Sequence, residues 1–273
     1  MTGQKNYKYI NRNDSNAHIK CAITEEYTML KLGRVLDIRL EVHASWLIVF
    51  GLLTYGIGRD YIAEFHPATN IFASLGYGAI AATLLFACLL IHEFAHSLVA
   101  RKCGIETESI TLFIFGGFAR FTRDPEKWTH ELGIALAGPI ASCVCAAIFA
   151  AIWLISPQGS IYATVAFYLT VSNLILATVN MLPGMPLDGG RAARAVLWGI
   201  LDSRFSATRI ATIAGNVLGL TAGAAGLIAL IGYGNFGGAW WCLIGWFVSN
   251  AASQTWEDEQ SREAELLDEA EAA

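Results

Sequence analysis

Residues 71–100 read IFASLGYGAIAATLLFACLLIHEFAHSLVA. From Ile71 to Ile91 no side chain is ionisable except Tyr77 and Cys88, and His92, Glu93 and His96 then arrive within five positions. An apolar run of about 20 residues is long enough to cross the roughly 30 Å hydrocarbon core of a bilayer as a helix. A charged group in such a segment costs about 2.5–3.5 kcal/mol on insertion scales, and neutral His costs less. Three such groups side by side are a liability unless they bind something. Four residues apart on a helix, His92 and His96 stand one above the other, as two imidazoles must to share a metal ion. Glu93 lies next to His92 in angle, close to where a metal would hold water, without needing to be a ligand. In that pattern the metal acidifies the water and polarises a carbonyl, and the Glu takes the proton.

Composition outside this stretch agrees. Of 273 residues, 55% are hydrophobic and 15% charged, against about 25% charged in a soluble domain. Five further apolar runs, at 44–58, 132–155, 161–182, 207–231 and 236–252, complete six candidate crossings. Gly, Ala and Ser are frequent in the runs at 132 and 207, as where membrane helices pack closely. Of the eighteen Lys and Arg, seventeen fall on one side of a six-crossing chain and Arg59 alone on the other. By the positive-inside rule both termini are cytoplasmic. No short apolar core with a small-residue cleavage site precedes Ala44, so the first run is expected to stay as an anchor. The net charge of -5 comes with no basic stripe, which gives no reason to expect nucleic acid. Six scattered cysteines, including Cys21, Cys88, Cys143 and Cys145, read as small buried apolar residues.

A tetrahedral catalytic zinc needs a third protein ligand and one open position. Residues 180–191 read NMLPGMPLDGGR, and Asp188 is the candidate; its alternative is a turn Asp capping the next helix. The runs at 71 and 161 both cross from outside to inside, so His92, His96 and Asp188 fall at similar depth near the cytoplasmic face. Pro183 and Pro186 stop the helix, and Gly184, Gly189 and Gly190 permit an irregular backbone that turns Asp188 back toward the metal.

These residues resemble the site-2 protease family of intramembrane metallopeptidases, peptidase family M50. The resemblance rests on HExxH in the second of six segments, Ala137-Gly138-Pro139 in the third, and the pattern from Asn180 to Gly190 after the fourth. It implies one zinc held by His92, His96 and Asp188, with Glu93 as general base. It also implies that Asn180 helps bind the substrate backbone or the oxyanion; from the residues alone Asn180 reads equally as a polar contact between helices. The implied substrates are single-pass membrane proteins, cleaved in or near their transmembrane segments.

Weaker signals surround this core. Residues 111–121 read as one or two short strands with a Gly-Gly kink, either packing or holding an unwound substrate by strand addition. His43 reads as a packing or hydrogen-bonding residue. His130-Glu131 imitates the metal motif, but Ile134 stands where the second His would be, so it is rejected as a ligand set. His18 and His66 carry no special signal. The residues 256–273 hold eight Asp and Glu against one Arg and read as a solvated helix or frayed end. The expected architecture is an α-helical polytopic membrane protein with six transmembrane helices and a small cytoplasmic-side β element. It divides into a cytoplasmic segment 1–43, a metalloprotease domain 44–252 and an acidic tail 253–273. A metal transporter is disfavoured because the runs at 132, 207 and 236 lack a polar path. A non-catalytic relative is disfavoured by Glu93, which metal binding alone does not need.

Overall fold

The computed structural model describes residues 29–114 and 116–272; most of the predicted N-terminal segment, with His18 and Cys21, lies outside the described residues. Met29–Val35 (β1) and Ile38–His43 (β2) pair antiparallel. Leu36 and Asp37 join them with φ of 55° and 68°, the positive values that a two-residue turn matched to strand twist demands.

Ser45–Tyr55 (α1) continues through a π-helical stretch, Gly56–Ile62, and a last turn, Ala63–Phe65. The helix therefore runs past the apolar run read at 44–58, because Arg59, Asp60 and Glu64 end the hydropathy signal before they end the helix. Ile71–Lys102 (α2) is one helix of 32 residues, about 48 Å long at 1.5 Å per residue. Asn70 caps it, its side chain accepting from the Ala73 N–H at 2.9 Å. At the Gly58–Gly78 contact the backbones of α1 and α2 touch. A Cβ on Gly78 would lie 2.4 Å from the Thr54 carbonyl oxygen, the close approach that small residues allow between membrane helices.

Thr107–Phe113 (β3) and Gly116–Phe121 (β4) form an antiparallel hairpin. The one or two strands expected within 111–121 are two, with β3 starting earlier. The sheet order is β1-β2-β3-β4, and β2 pairs with β3 in parallel, Arg39 opposite Ser109 and Val42 opposite Leu112. One face of the sheet lies on α2: Ile38, Ile110 and Ala119 pack with Leu40 and Phe121 against Leu90 and Phe94. Phe94 thus anchors the HExxH turn to the sheet.

Trp128–Ile155 (α3), Ile161–Asn180 (α4), Asp188–Leu201 (α5), Arg204–Leu227 (α6, extended by a π-helical Ile228–Gly232) and Gly237–Ala272 (α7) complete the described chain. Among the described residues four helices are long and apolar enough to cross a membrane: α2, α3, α4 and α6 with its π turn. The runs at 44 and 236 do form helices, α1 and the start of α7. The first is shortened in hydropathy by its charged end, and the second is rich in Gly and Trp. Helix α7 continues without a break from its apolar start through the acidic residues that follow 253.

Candidate metal centre

His92 and His96 occupy the last turns of α2, while Asp188 opens α5, 96 positions further along the chain. Three donor atoms meet. His92 Nε2 lies 3.1 Å from Asp188 Oδ2, His96 Nε2 lies 3.2 Å from the same oxygen, and the two nitrogens are 3.2 Å apart. A tetrahedral zinc with bonds of about 2.0–2.1 Å separates its ligand atoms by roughly 3.4 Å, so this triangle is one face of such a site. All three side chains are buried, at 2%, 3% and 8% exposure. Among the described residues they are the one group of three or more His, Cys, Asp or Glu whose donor atoms gather so closely.

The surroundings orient the rings. His96 Nδ1 sits 2.6 Å from the carbonyl oxygen of Ile134. A carbonyl only accepts, so Nδ1 carries the proton and Nε2 keeps its lone pair for a metal. His92 Nδ1 is 2.9 Å from Ser142 Oγ. Both partners come from α3, which also supplies Gly138. A Cβ there would lie 2.2 Å from His96 Nε2 and 2.5 Å from His92 Nε2, so only glycine leaves room for the two imidazoles. Burial on its own would raise the Asp188 carboxyl. The two imidazoles whose Nε2 atoms face it more than offset this and hold it below the usual carboxylate range.

The segment between α4 and α5 differs from its sequence reading in one respect. Asp188, Gly189 and Gly190 are helical, with Leu187 as the N-cap residue and no side-chain cap, so Asp188 is not the capping turn residue that was its alternative. The two glycines serve close approach instead of an irregular turn. A Cβ on Gly189 would lie 2.3 Å from the Met181 carbonyl, and one on Gly190 2.3 Å from the Gly184 carbonyl carbon. The first turn of α5 is thereby pressed onto the end of α4, which brings Asp188 over α2.

Glu93 is 8% exposed and faces a cavity of about 630 Å³ that it lines with His92, His96, Asn180, Asp188 and Arg191. Strand β4 passes over it: a Cβ on Gly117 would lie 2.7 Å from Glu93 Cγ. The other side of β4 pairs with β3, and among the described residues no strand occupies its cavity edge. Asn180 lines the same cavity, but its Nδ2 donates to the Leu176 carbonyl of its own helix at 3.0 Å, not to another helix. His43 bonds locally to Ser45 Oγ at 2.8 Å, and His66 to Thr164 Oγ1 at 2.8 Å.

Sequence reasoning rejected Glu131 as a ligand and found no role for it. In the fold Glu131 is fully buried and paired with Arg194, whose Nε and Nη2 both donate to Oε1, the former at 2.8 Å. This pair binds α3 to α5 behind the metal ligands. One signal was available: Asp188, Arg191 and Arg194 recur every three residues, a polar stripe on one side of α5.

Apolar helices surround a His-His-Asp cluster with a carboxylate beside it, the donor set of a metal site with a proton acceptor at hand. Comparison with known proteins gives the family. The model for peptidase family M50 matches residues 80–162 and 156–222. Rip3 of Mycobacterium tuberculosis is 37% identical over 231 residues, spanning 82% of this chain and 58% of Rip3. The zinc metalloprotease MJ0392 of Methanocaldococcus jannaschii is 29% identical over 204 residues, spanning 74% of this chain and 55% of that protein. A solved structure, the site-2 protease from Methanocaldococcus jannaschii, superposes with a TM-score of 0.58 at 28% identity, covering 84% of this chain and 95% of that one. The chain belongs to peptidase family M50, the site-2 protease family of zinc metalloproteases. It spans under three-fifths of the length of these two curated relatives.

Proposed function

We propose that this chain is an intramembrane zinc metalloendopeptidase that hydrolyses peptide bonds in or near the transmembrane segments of single-pass membrane proteins, the chemistry of regulated intramembrane proteolysis. The observation that carries this reading is the triangle of His92 Nε2, His96 Nε2 and Asp188 Oδ2, with sides of 3.1–3.2 Å, beside a buried Glu93. One zinc per chain fits the triangle, with a fourth position open toward the cavity. When bound, it supplies Lewis acidity to the scissile carbonyl and to water. Glu93 takes a proton from the attacking water and later delivers it to the leaving amine. Its place in a mostly buried cleft under β4 keeps bulk water from competing for that proton.

A helical substrate hides its carbonyls in its own i→i−4 bonds and must be opened before it can be cut. The cavity edge of β4, Gly116–Phe121, offers backbone groups to such an opened segment, and strand addition places it above Glu93. Asn180 lines the same cleft, where the family resemblance gives it a part in holding the substrate backbone. For topology the proposal is six crossings, with α1 and the start of α7 added to the four long apolar helices, in the cell membrane with both termini cytoplasmic. The bias of Lys and Arg supports this orientation.

The test is zinc content of the detergent-purified protein beside cleavage of a panel of single-pass segments. Wild type is expected to hold about one zinc and cleave, and Glu93→Gln to keep the zinc and lose cleavage. Asp188→Ala is expected to lose zinc; full occupancy in that variant assigns the third ligand elsewhere. Absence of metal in folded wild type, or normal cleavage by Glu93→Gln, overturns the mechanism.

A further inference from the structure

Hydrolysis of a peptide bond gathers negative charge on the scissile carbonyl oxygen, and a preorganised donor aimed at that charge is commonly the largest protein contribution to rate. Apart from the strand backbone of β4, the side-chain donors that line the cavity are few, and most are committed. Asn180 Nδ2 donates to Leu176 O. Thr255 Oγ1 donates to Ala251 O at 2.8 Å. Arg194 is held by Glu131, and Arg123 by Glu126 and the Gly104 carbonyl. Arg120 is exposed, and by strand alternation it lies on the face of β4 opposite the buried Ala119.

Arg191 differs from all of these. It stands one turn after Asp188 on α5, is half-buried, and lines the cavity with Glu93. Among the described residues no carboxylate lies within ion-pair distance of it, and its charge acts on Glu93 across the cavity. Its guanidinium carbon lies 5.7 Å from the centre of the Phe121 ring on β4. A cation–ring contact uses none of the five guanidinium N–H groups on an acceptor atom. Phe121 thus lies beside the cation at the cavity wall without consuming a hydrogen bond.

We infer that Arg191 is a catalytic residue that donates to the scissile carbonyl oxygen as charge develops there, the part that family resemblance gave to Asn180. The inference rests on the peptidase reading above. In the reaction Arg191 loses and gains no proton. It stays a cation throughout, and the proton shuttled by Glu93 is the only one that moves.

Two measurements decide it. In the first, Arg191→Ala is expected to keep its zinc and to lose about 10²–10³-fold in kcat with little change in KM. Added guanidinium ion restores part of that rate, which a lost packing contact would not allow, and Arg191→Lys retains more activity than Arg191→Ala. In the second, binding is measured in the Glu93→Gln background. There Arg191→Ala weakens a phosphinate peptide, a tetrahedral anion, at least 30-fold more than the matching uncleaved peptide. Equal losses for the two ligands overturn the inference and make Arg191 a ground-state binding residue. Loss of zinc, or a kcat within a few-fold of wild type, also overturns it. Failure of the peptidase reading shows separately, as wild type that cleaves nothing or Glu93→Gln that still cleaves.

Discussion

Replacing Gly138 with alanine tests the geometry of the metal centre with a single carbon atom. The added Cβ would sit 2.2 Å from His96 Nε2, 2.5 Å from His92 Nε2 and 2.6 Å from His96 Cε1. Non-bonded atoms of this kind rest near 3.5 Å, so something must give by about 1 Å. Either the imidazoles swing aside or α3 withdraws from α2. Metal–ligand distances tolerate only about ±0.2 Å, and changes one shell further out already cost 10–100-fold in affinity. Gly138→Ala is therefore expected to weaken zinc at least about 100-fold, close to 3 kcal/mol. Gly133→Ala, on the same helix, is the control. Its Cβ would meet nothing nearer than Val99 Cγ1 at 3.7 Å, an ordinary contact. Helix propensity alone favours alanine at both sites by roughly 0.5–1 kcal/mol, so the two variants separate propensity from the clash. The assay is competition for zinc against a chelator of known affinity, with metal-free thermal unfolding alongside. Wild-type zinc affinity in Gly138→Ala would show that the two Nε2 atoms do not converge beside this glycine, and the site as described would fail.

Two further outcomes follow from the same neighbourhood. In Gly117→Ala the new Cβ meets the flexible end of Glu93 at 2.7–3.0 Å, so zinc stays bound while kcat falls about 10–100-fold, as expected if the general base proposed above is displaced; an unchanged rate refutes the placing of Glu93 under β4. Glu131→Gln leaves the Arg194 charge buried without its partner and is expected to destabilise the fold by about 3–5 kcal/mol, whereas replacing both residues with apolar side chains of similar size costs far less. Equal unfolding midpoints for wild type and Glu131→Gln would remove the pair from the account.

What could be read from the sequence had a period or a composition behind it. Two histidines four apart on an apolar helix can hardly avoid sharing a face, and an Asp after two prolines at matching depth was the natural third member. The fold brings these three together. Relations between distant segments were out of reach. Nothing local in Arg39–Val42 announces parallel pairing with Ser109–Leu112, because the register is set by what both strands pack against on α2. Gly138 was legible only through resemblance, since a glycine required for the space beside two imidazoles looks like any glycine in a membrane helix. Glu131 and Arg194 are separated by 63 positions, and each alone reads as an ordinary charge near a helix end. Gly189 and Gly190 were assigned conformational freedom when the fold uses their lack of a side chain.

The parallel ladder between β2 and β3 also constrains how the chain is threaded through a bilayer. Both strands belong to one sheet, so His43 and Thr107 lie on the same side of the membrane. Whatever connects them must cross an even number of times or not at all. Helix α2 is long and apolar enough to cross once, and in the topology proposed above it does. A second passage is then required of the chain before it, and the helical stretch from Ser45 to Phe65, about 30 Å long, is the only one there. If α2 crosses and the sheet lies on one side, parity asks α1 to cross as well, where hydropathy alone does not. Four backbone pairings thereby bear on the proposed topology of a helix that takes no part in them.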